Sequence, residues 1–323
     1  MKQILVIRFS ALGDVAMLAA VLKGLMSNPN ISVTMLSQQR FAPLFAELNG
    51  DFHFYGADLK GRHKGIKGLN TLLQDIDYKR FDTIIDCHNV LRSRYLDLRF
   101  RLAGKQVTIM SKDRLAKWWL TCRWNKDKKP LLPMPERYSR TLSSAGHRRD
   151  LVETSSNEAP RKGIGIAPFA AHKGKIYPVE RMEAVVAALS KKNEPIYLFG
   201  GGPKEVQILE GWASKYPYTI CVAGKMSLAE ELELIKRLRL MITMDSGNMH
   251  LASLVGTRVV SIWGATHPKA GFLGVGQKEE DCLQRDLPCR PCSIYGNKPC
   301  RFGDYRCLDI SPEEVLKKID YTS

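Results

Sequence analysis

The sequence lacks an apolar run long enough to cross a membrane. Arg8 and Asp14 interrupt the N-terminal candidate well before the ~20 apolar residues that a spanning helix needs. The same two charges argue against a secretory signal peptide. We therefore expect the protein to stay in the cytoplasm.

Acidic residues are scarce relative to basic ones. The chain has 33 Asp and Glu against 49 Lys and Arg, a formal net charge of +16. Residues 92–149 hold sixteen of the basic residues and four acidic ones. Such an excess indicates an anionic partner: nucleic acid, an anionic membrane surface or a phosphorylated substrate. No RNP or zinc-finger pattern accompanies the charge, which makes nucleic acid the remotest of the three.

Signatures of common phosphate and metal sites are also missing. The run Gly200-Gly201-Gly202-Pro203 is not followed by the Lys-Ser/Thr pair of a Walker A loop. The only Asp-x-Asp candidate, Asp75-Ile76-Asp77, lies in a predicted helix and is a poor metal ligand set. We therefore predict that the protein needs no metal ion.

Cysteine is plentiful only near the C-terminus, where five of the eight lie between Cys282 and Cys307. Their spacing is C-x6-C-x2-C-x7-C-x6-C, and a C-x-x-C pair with two further thiolates can hold zinc. Against zinc, five cysteines are one too many for a single site and their separations are irregular, and the thiols of a cytoplasmic protein are expected to be reduced. The sequence leaves both readings open.

Short apolar runs alternate with helical patterns in both halves of the chain. Strands are predicted at 4–7, 33–36, 83–86, 163–167, 196–199, 219–222, 240–244 and 258–263, with helices at 15–26, 41–48, 66–76, 178–189, 204–215, 228–238 and 248–255. This alternation predicts parallel sheets with helices on both faces. The length suffices for two domains, and the polar stretch 153–160 predicts a boundary that gives residues 1–155 and 156–323.

Within the predicted first domain, residues 117–124 place three tryptophans among cations. One interpretation is a helix whose aromatic side chains complete the core. The other is an interfacial segment with tryptophan at the depth of lipid headgroups and Lys or Arg toward anionic lipid.

The turns after four predicted strands lie where open parallel sheets bind ligands. At Asp245-Ser246-Gly247 a helix begins directly after a strand, and its unpaired N–H groups and dipole favour an anion such as a pyrophosphate. Asp245 and Ser246 can also simply cap that helix. The other three turns also allow plain structural roles. Residues 10–14 can cap a helix, residues 167–178 can form a solvated loop, and residues 200–203 can form a tight glycine turn.

Two stretches resemble one known family. The run Asp245-Ser246-Gly247-x-x-His250-Leu251-Ala252, followed by Gly256 and Gly264-x-Thr266-x-Pro268, resembles the donor-site signature of the bacterial ADP-heptose:lipopolysaccharide heptosyltransferases. Residues 8–15, RFSALGDV, resemble the N-terminus of that family. The resemblance implies a GT-B fold, in which two Rossmann-like, doubly wound parallel-sheet domains face a central cleft. The second domain is expected to bind the nucleotide and the first the acceptor.

The resemblance also implies roles for individual residues. Asp14 matches the general base for the acceptor hydroxyl, and Lys175, three residues before Pro178, matches the lysine that contacts the donor phosphates. The expected donor-binding residues are Lys173, Gly200, Gly201, Asp245, Ser246, Gly247, His250 and Thr266, and the expected acceptor-binding residues are Ser10 and Gly13. We treat His250 as structural support.

The implied activity is inverting transfer of heptose from ADP-heptose to a phosphorylated acceptor in the lipopolysaccharide inner core. The enzyme is expected to need no cofactor and to bind peripherally to the anionic inner membrane. The sequence also fits two alternatives: a GT-B transferase that uses another nucleotide sugar and, remotely, a basic nucleic-acid-binding protein.

Overall fold

A computed structural model describes residues 1–26, 28–143 and 161–320, which divide into two compact units. No helix of these residues is long and apolar enough to cross a membrane. The elements of residues 1–143 are, in chain order, β1 (Lys2–Ile7), α1 (Leu12–Met26), β2 (Ile31–Gln38), β3 (Phe52–Ala57), α2 (Gly65–Asp75), β4 (Thr83–Asp86), α3 (Leu91–Leu102), β5 (Gln106–Ile109), α4 (Arg114–Thr121) and α5 (Met134–Leu142).

The first unit contains a parallel sheet of five strands in the order β3-β2-β1-β4-β5. The central strand β1 is a run of buried apolar residues, as predicted for a strand covered on both faces. The sequence missed β3 and β5, the two edge strands. Both are only partly buried, so they lack the continuous apolar run by which the central strands were recognised.

The elements of residues 161–320 are β6 (Ile164–Ala167), α6 (Val179–Leu189), β7 (Ile196–Leu198), α7 (Pro203–Lys215), β8 (Thr219–Cys221), α8 (Leu228–Arg237), β9 (Leu240–Met244), α9 (Gly247–Leu254), β10 (Val259–Trp263), β11 (Cys282–Gln284) and α10 (Pro312–Asp320). Their six strands form a second parallel sheet in the order β11-β10-β9-β6-β7-β8.

Helix α6 shows how sequence pattern becomes packing in the second unit. Its side chains at Met182, Val185, Val186 and Leu189 recur at helical spacing, and all four are buried in the core beside β6, β7 and β9. Helix α8 begins with the predicted capping box, in which Ser227 and Glu230 each bind the other's backbone N–H.

The prediction of an α-helix at residues 41–48 is wrong. A 3₁₀ turn, Gln39–Phe45, occupies this position and contains Pro43. Proline lacks an N–H and its ring clashes with the carbonyl of the preceding turn, so a regular helix is unfavourable here.

A second correction concerns Arg114–Pro133, which groups with the second unit rather than the first. Leu131 N donates to Lys269 O at 2.8 Å, and Leu132 O leaves no room for a Cβ at Gly271. The segment therefore lies early in the chain but packs as part of the later unit. The predicted boundary at residues 155 and 156 falls outside the described residues and stays a prediction.

Candidate active site

The most distinctive polar contact of the second unit joins two adjacent strand ends. Asp245 directly follows β9, and Lys175 closes the 3₁₀ turn Lys173–Lys175 after the neighbouring strand β6. Lys175 Nζ lies 2.9 Å from Asp245 Oδ2, and the two side chains are only 15% and 7% exposed. The sheet thus brings together two predicted site residues that are far apart in the sequence.

Helix α9 begins beside this ion pair, and no side chain of its N-cap residue caps its first turn. Ser246 occupies the N-cap position of α9, but its side chain makes no capping hydrogen bond. Its Oγ instead shares a hydrogen bond of 3.1 Å with Thr243 Oγ1, and the Asp245 carboxylate pairs with Lys175. The alternative in which the Ser246 side chain caps α9 is therefore not what the structure shows. The first amides of α9 and its positive dipole end remain suited to an anion.

The loop after β10 packs directly against the turn that carries Lys175. Ala265 N donates to Gly174 O at 2.8 Å. A Cβ at Gly264 would lie 2.4 Å from the same oxygen, so only glycine fits there. Thr266 follows in this loop, and its hydroxyl is buried without a hydrogen-bond partner among the described residues.

Arg290 binds the loop after β10 through its guanidinium, a role that the sequence did not predict. Its buried guanidinium donates to the carbonyl oxygens of Gly264 at 2.6 Å, Thr266 at 2.8 Å and Trp263 at 3.1 Å. Burial lowers its pKa below the ordinary arginine value. The sequence signal for this role was the position of Arg290 inside Cys289-x-x-Cys292, which we interpreted only as a possible metal motif. Cys292 N also donates to Ala265 O, at 3.1 Å.

The glycine turn after β7 is closed by its own helix. Gly201 N donates to Glu205 Oε2 at 2.8 Å, and Gly202, with φ of +91°, immediately precedes α7. A Cβ at Gly200 would lie 2.9 Å from Leu209 and 3.2 Å from Glu205, which explains the glycine by local packing. The structure thus gives Gly200 and Gly201 a turn-forming role, and their contact with a nucleotide stays a prediction.

Two other expected donor residues have different surroundings. Lys173 Nζ lies over the ring of Tyr305, 5.3 Å from its centroid, and lines a cleft of about 520 Å³ with Tyr177 and Arg181. Lys175 and Asp245 do not line that cleft, so the two lysines of the loop point to separate places. His250 is buried within α9, and Gly247 is the first residue of that helix.

In the first unit, Asp14 lies in the first turn of α1, which begins at Leu12 rather than at the predicted residue 15. Its Oδ2 is 2.8 Å from Arg8 NH2. Arg8 is buried, also donates to Cys87 O, and lies 5.6 Å from the ring centroid of Tyr138. About a quarter of the Asp14 side chain (24%) remains exposed. A fixed arginine therefore holds a partly accessible carboxylate at the end of β1.

The expected acceptor residues flank this pair. Gly13 precedes Asp14 in α1, and Ser10 Oγ lies 3.3 Å from His88 Nε2. His88 follows β4, the strand beside β1, and was missed by the sequence analysis. Burial, and then the charge of Arg8, lower the pKa of His88 to about 4, so the imidazole is neutral at neutral pH. An apolar run ending in Asp86-Cys87-His88 was the signal for it.

Groups that were considered as metal ligands have other contacts. Asp75 accepts from Arg62 at 2.7 and 2.8 Å and lies 3.0 Å from His63 Nε2. All eight cysteines are free thiols. Across residues 1–26, 28–143 and 161–320, no group of three or more His, Cys, Asp or Glu side chains is arranged to hold a metal ion.

Comparison with known proteins gives a consistent result. The model of glycosyltransferase family 9 (heptosyltransferase) matches residues 70–305, a range that contains Lys175 and Asp245 but not Asp14. A curated relative, lipopolysaccharide core heptosyltransferase OpsX of Haemophilus influenzae, is 23% identical over 285 residues, which cover 83% of this chain and 80% of that protein.

Solved structures are similar over nearly the whole chain. A family 9 glycosyl transferase from Veillonella parvula gives a TM-score of 0.74 at 21% identity and covers 98% of this chain and 96% of its own. ADP-heptose LPS heptosyltransferase II of E. coli gives 0.71 at 18% identity, with 99% and 97% covered. Together with the two parallel sheets, these similarities confirm the predicted GT-B fold.

Proposed function

Because the chain belongs to glycosyltransferase family 9 (heptosyltransferase), we propose that it moves heptose from ADP-heptose to an inner-core sugar of lipopolysaccharide. The observation that carries the proposal is the buried Lys175–Asp245 pair beside the first turn of α9. Cations and the backbone amides at the start of a helix both favour a bound diphosphate, and this corner of the second sheet places Lys175 beside the start of α9, which has no side-chain cap. The H. influenzae relative, a lipopolysaccharide core heptosyltransferase, supports the lipopolysaccharide core as acceptor.

On the donor side, Lys175 and the amides at the start of α9 stabilise the charge that develops on the departing diphosphate. Preorganised groups of this kind act strongly because they do not need to reorient during the reaction. Asp245 holds the Lys175 ammonium in place before the donor binds. When the donor is bound, the Asp245 carboxylate accepts hydrogen bonds from hydroxyl groups of the donor sugar. Thr266, whose buried hydroxyl lacks a partner among the described residues, donates to the same ligand.

On the acceptor side, Asp14 is the general base. The acceptor oxygen attacks the anomeric carbon of the heptose as the bond from that carbon to the diphosphate oxygen breaks. The bonding electrons leave with ADP, and the hydroxyl proton passes to the Asp14 carboxylate. A single displacement inverts the anomeric configuration, and a positioned base contributes on the order of 10²–10⁴ in rate.

Arg8, Ser10 and His88 complete the acceptor side of the proposal. The ion pair with Arg8 orients the Asp14 carboxylate, whose exposed part stays accessible to a hydroxyl group. Ser10 and the neutral imidazole of His88 exchange hydrogen bonds with the acceptor sugar. We place the reaction at the cytoplasmic face of the inner membrane, because the formal charge of +16 suits a phosphorylated, membrane-embedded acceptor.

The test is a panel of nucleotide sugars, scored first by thermal unfolding and then by transfer to a lipopolysaccharide core acceptor. A donor at about 100 times its Kd should add about 2.7 kcal/mol to the free energy of unfolding. We expect ADP-heptose to give the largest shift and the only efficient transfer. Stabilisation by a different nucleotide sugar would favour the related transferase, and DNA binding without any sugar transfer would favour the nucleic-acid-binding alternative.

A further inference from the structure

Helix α4 presents an apolar face to solvent. Leu115, Trp118 and Trp119 have the i, i+3, i+4 spacing of one helix face, and all three are exposed. Trp124, three residues after the helix, is 72% exposed. We call these four residues the tryptophan surface. Large exposed apolar groups clustered in this way mark interaction sites more often than chance surface residues do.

The opposite face of α4 is fixed on the second unit. Leu120 is buried, and Lys117 Nζ lies 3.1 Å from Tyr295 Oη and 5.4 Å from the ring centroid of Phe272. These contacts set the rotation of the helix about its axis. The tryptophan surface is therefore turned outward by the packing of α4.

The segment after α4 is tied to the end of the helix. Lys128 Nζ donates to the carbonyl oxygens of Leu120 and Cys122, at 2.8 and 2.9 Å. Asn125 Nδ2 donates to Trp119 O at 3.0 Å, which keeps Trp124 beside the end of α4. A lysine at the last carbonyls of a helix also stabilises its negative dipole end.

Cations surround the tryptophan surface. Residues 114–129 contain six Lys or Arg and one acid, Asp127. Arg114, Arg123, Lys126 and Lys129 are exposed, and the Arg123 guanidinium lies 4.3 Å from the ring centroid of Trp124. Tryptophan prefers the headgroup depth of a bilayer, and basic side chains prefer anionic headgroups.

We propose that the tryptophan surface docks the second unit on an anionic lipid bilayer. This inference rests on the proposed function, because a membrane-embedded acceptor requires the enzyme at the membrane surface. A second copy of the chain fits less well, since two surfaces with this excess of positive charge would repel each other. The unit that carries Lys175 and Asp245 thus also carries the membrane contact.

The five tryptophans of the chain provide a direct probe. Trp118, Trp119 and Trp124 belong to the tryptophan surface, whereas Trp212 and Trp263 are buried. Vesicles that contain phosphatidylglycerol with brominated acyl chains should quench and blue-shift the emission of the full-length protein. Neutral phosphatidylcholine vesicles with the same chains should have little effect, and added salt should weaken the interaction with the anionic vesicles.

Matched variants distinguish vesicle binding through the tryptophan surface from non-specific vesicle binding through any exposed aromatic residue. Trp118→Ala/Trp119→Ala should lower vesicle affinity by on the order of tenfold or more, because interfacial binding scales with buried apolar area. The control is Phe302→Ala, which removes another exposed aromatic residue flanked by Arg301 and Arg306. Its vesicle affinity should stay near that of the wild type.

Undiminished binding by the double variant, or equal quenching by neutral and anionic vesicles, would overturn the proposal. So would sedimentation showing that the double variant loses self-association while its vesicle binding is unchanged. Transfer to a short, lipid-free core acceptor should be the same in the wild type and the double variant. A wild type that binds vesicles but transfers no heptose would refute the proposed function and leave the membrane contact standing.

Discussion

Removal of the Lys175 ammonium tests whether the second unit binds the donor diphosphate through this lysine. Lys175→Met keeps much of the aliphatic stem but leaves the buried Asp245 carboxylate without its partner at 2.9 Å. Breaking one side of a buried ion pair typically costs about 3–5 kcal/mol of stability. We therefore expect a large fall in the melting temperature, which would obscure any effect on donor binding if this variant were studied alone.

The double variant Lys175→Met/Asp245→Asn resolves the ambiguity. It removes both charges, so most of the lost stability should return. The change in the double variant minus the sum of the changes in the two single variants measures the coupling of the pair. If Lys175 binds the diphosphate, ADP affinity should stay at least about tenfold below wild type in the stable double variant, because a charge-assisted contact is missing. Turnover should fall by on the order of 10²–10³ with the loss of leaving-group stabilisation.

Isothermal titration with ADP, thermal unfolding and initial rates are measured on the wild type, both single variants and the double variant. Lys173→Met serves as the control, because Lys173 lies over Tyr305 and does not share the ion pair. Normal ADP affinity and turnover in the double variant would show that the Lys175–Asp245 pair is only structural.

Three further predictions concern the support of the site, its pH dependence and metals. Arg290→Lys keeps the charge but loses the planar guanidinium that donates to three loop carbonyls. ADP affinity measured by titration should therefore fall, while the KM for the acceptor stays unchanged. Equal effects on both substrates would contradict this prediction. Burial, and then the charge of Asp86, raise the pKa of Asp97 to about 8. The unfolded chain releases that proton near pH 4, so the free energy of unfolding should fall as pH rises from about 4 to about 8, by up to about 1.4 kcal/mol per unit, and Asp97→Asn should remove this slope in denaturant titrations. Transfer should persist in EDTA; a loss that zinc restores would assign a metal to the C-terminal cysteines.

The fold could be predicted where one strand is covered on both faces. The runs at residues 4–7 and 240–244 are apolar throughout, and both lie inside a parallel sheet. The edge strands β3, β5 and β11 were missed because an edge strand needs less burial and so carries a weaker apolar signal. Pro43 turned a predicted helix into a 3₁₀ turn, a local effect that the apolar pattern did not reveal.

The site could be predicted only in part. Lys175 and Asp245 were each singled out by resemblance, but their pairing depends on β6 and β9 being neighbours, which spacing along the chain does not show. Arg290 contacts the loop after β10 from a segment that resembles a cysteine motif. The position of α4 and the residues after it depends on tertiary contacts with residues 269–295. Such long-range contacts have no local signature in the sequence.

The resemblance placed a base at Asp14, and the structure adds its partner Arg8. Asp14→Asn therefore costs some stability, because the buried guanidinium loses a charged acceptor, roughly 1.5–3 kcal/mol for such a bond. A matched control is Asp113→Asn, which removes the carboxylate that pairs with another buried arginine, Arg137, at 2.5 Å. The control should show a similar loss of stability with normal turnover.

The most direct test of the account is the rate of heptose transfer from ADP-heptose by Asp14→Asn, measured beside its ADP-heptose isotherm and with Asp113→Asn in parallel. The account predicts wild-type donor binding and a loss of turnover of on the order of 10²–10⁴ in Asp14→Asn alone. Near-normal turnover in Asp14→Asn, with the wild type active, would contradict the assignment of Asp14 as the base.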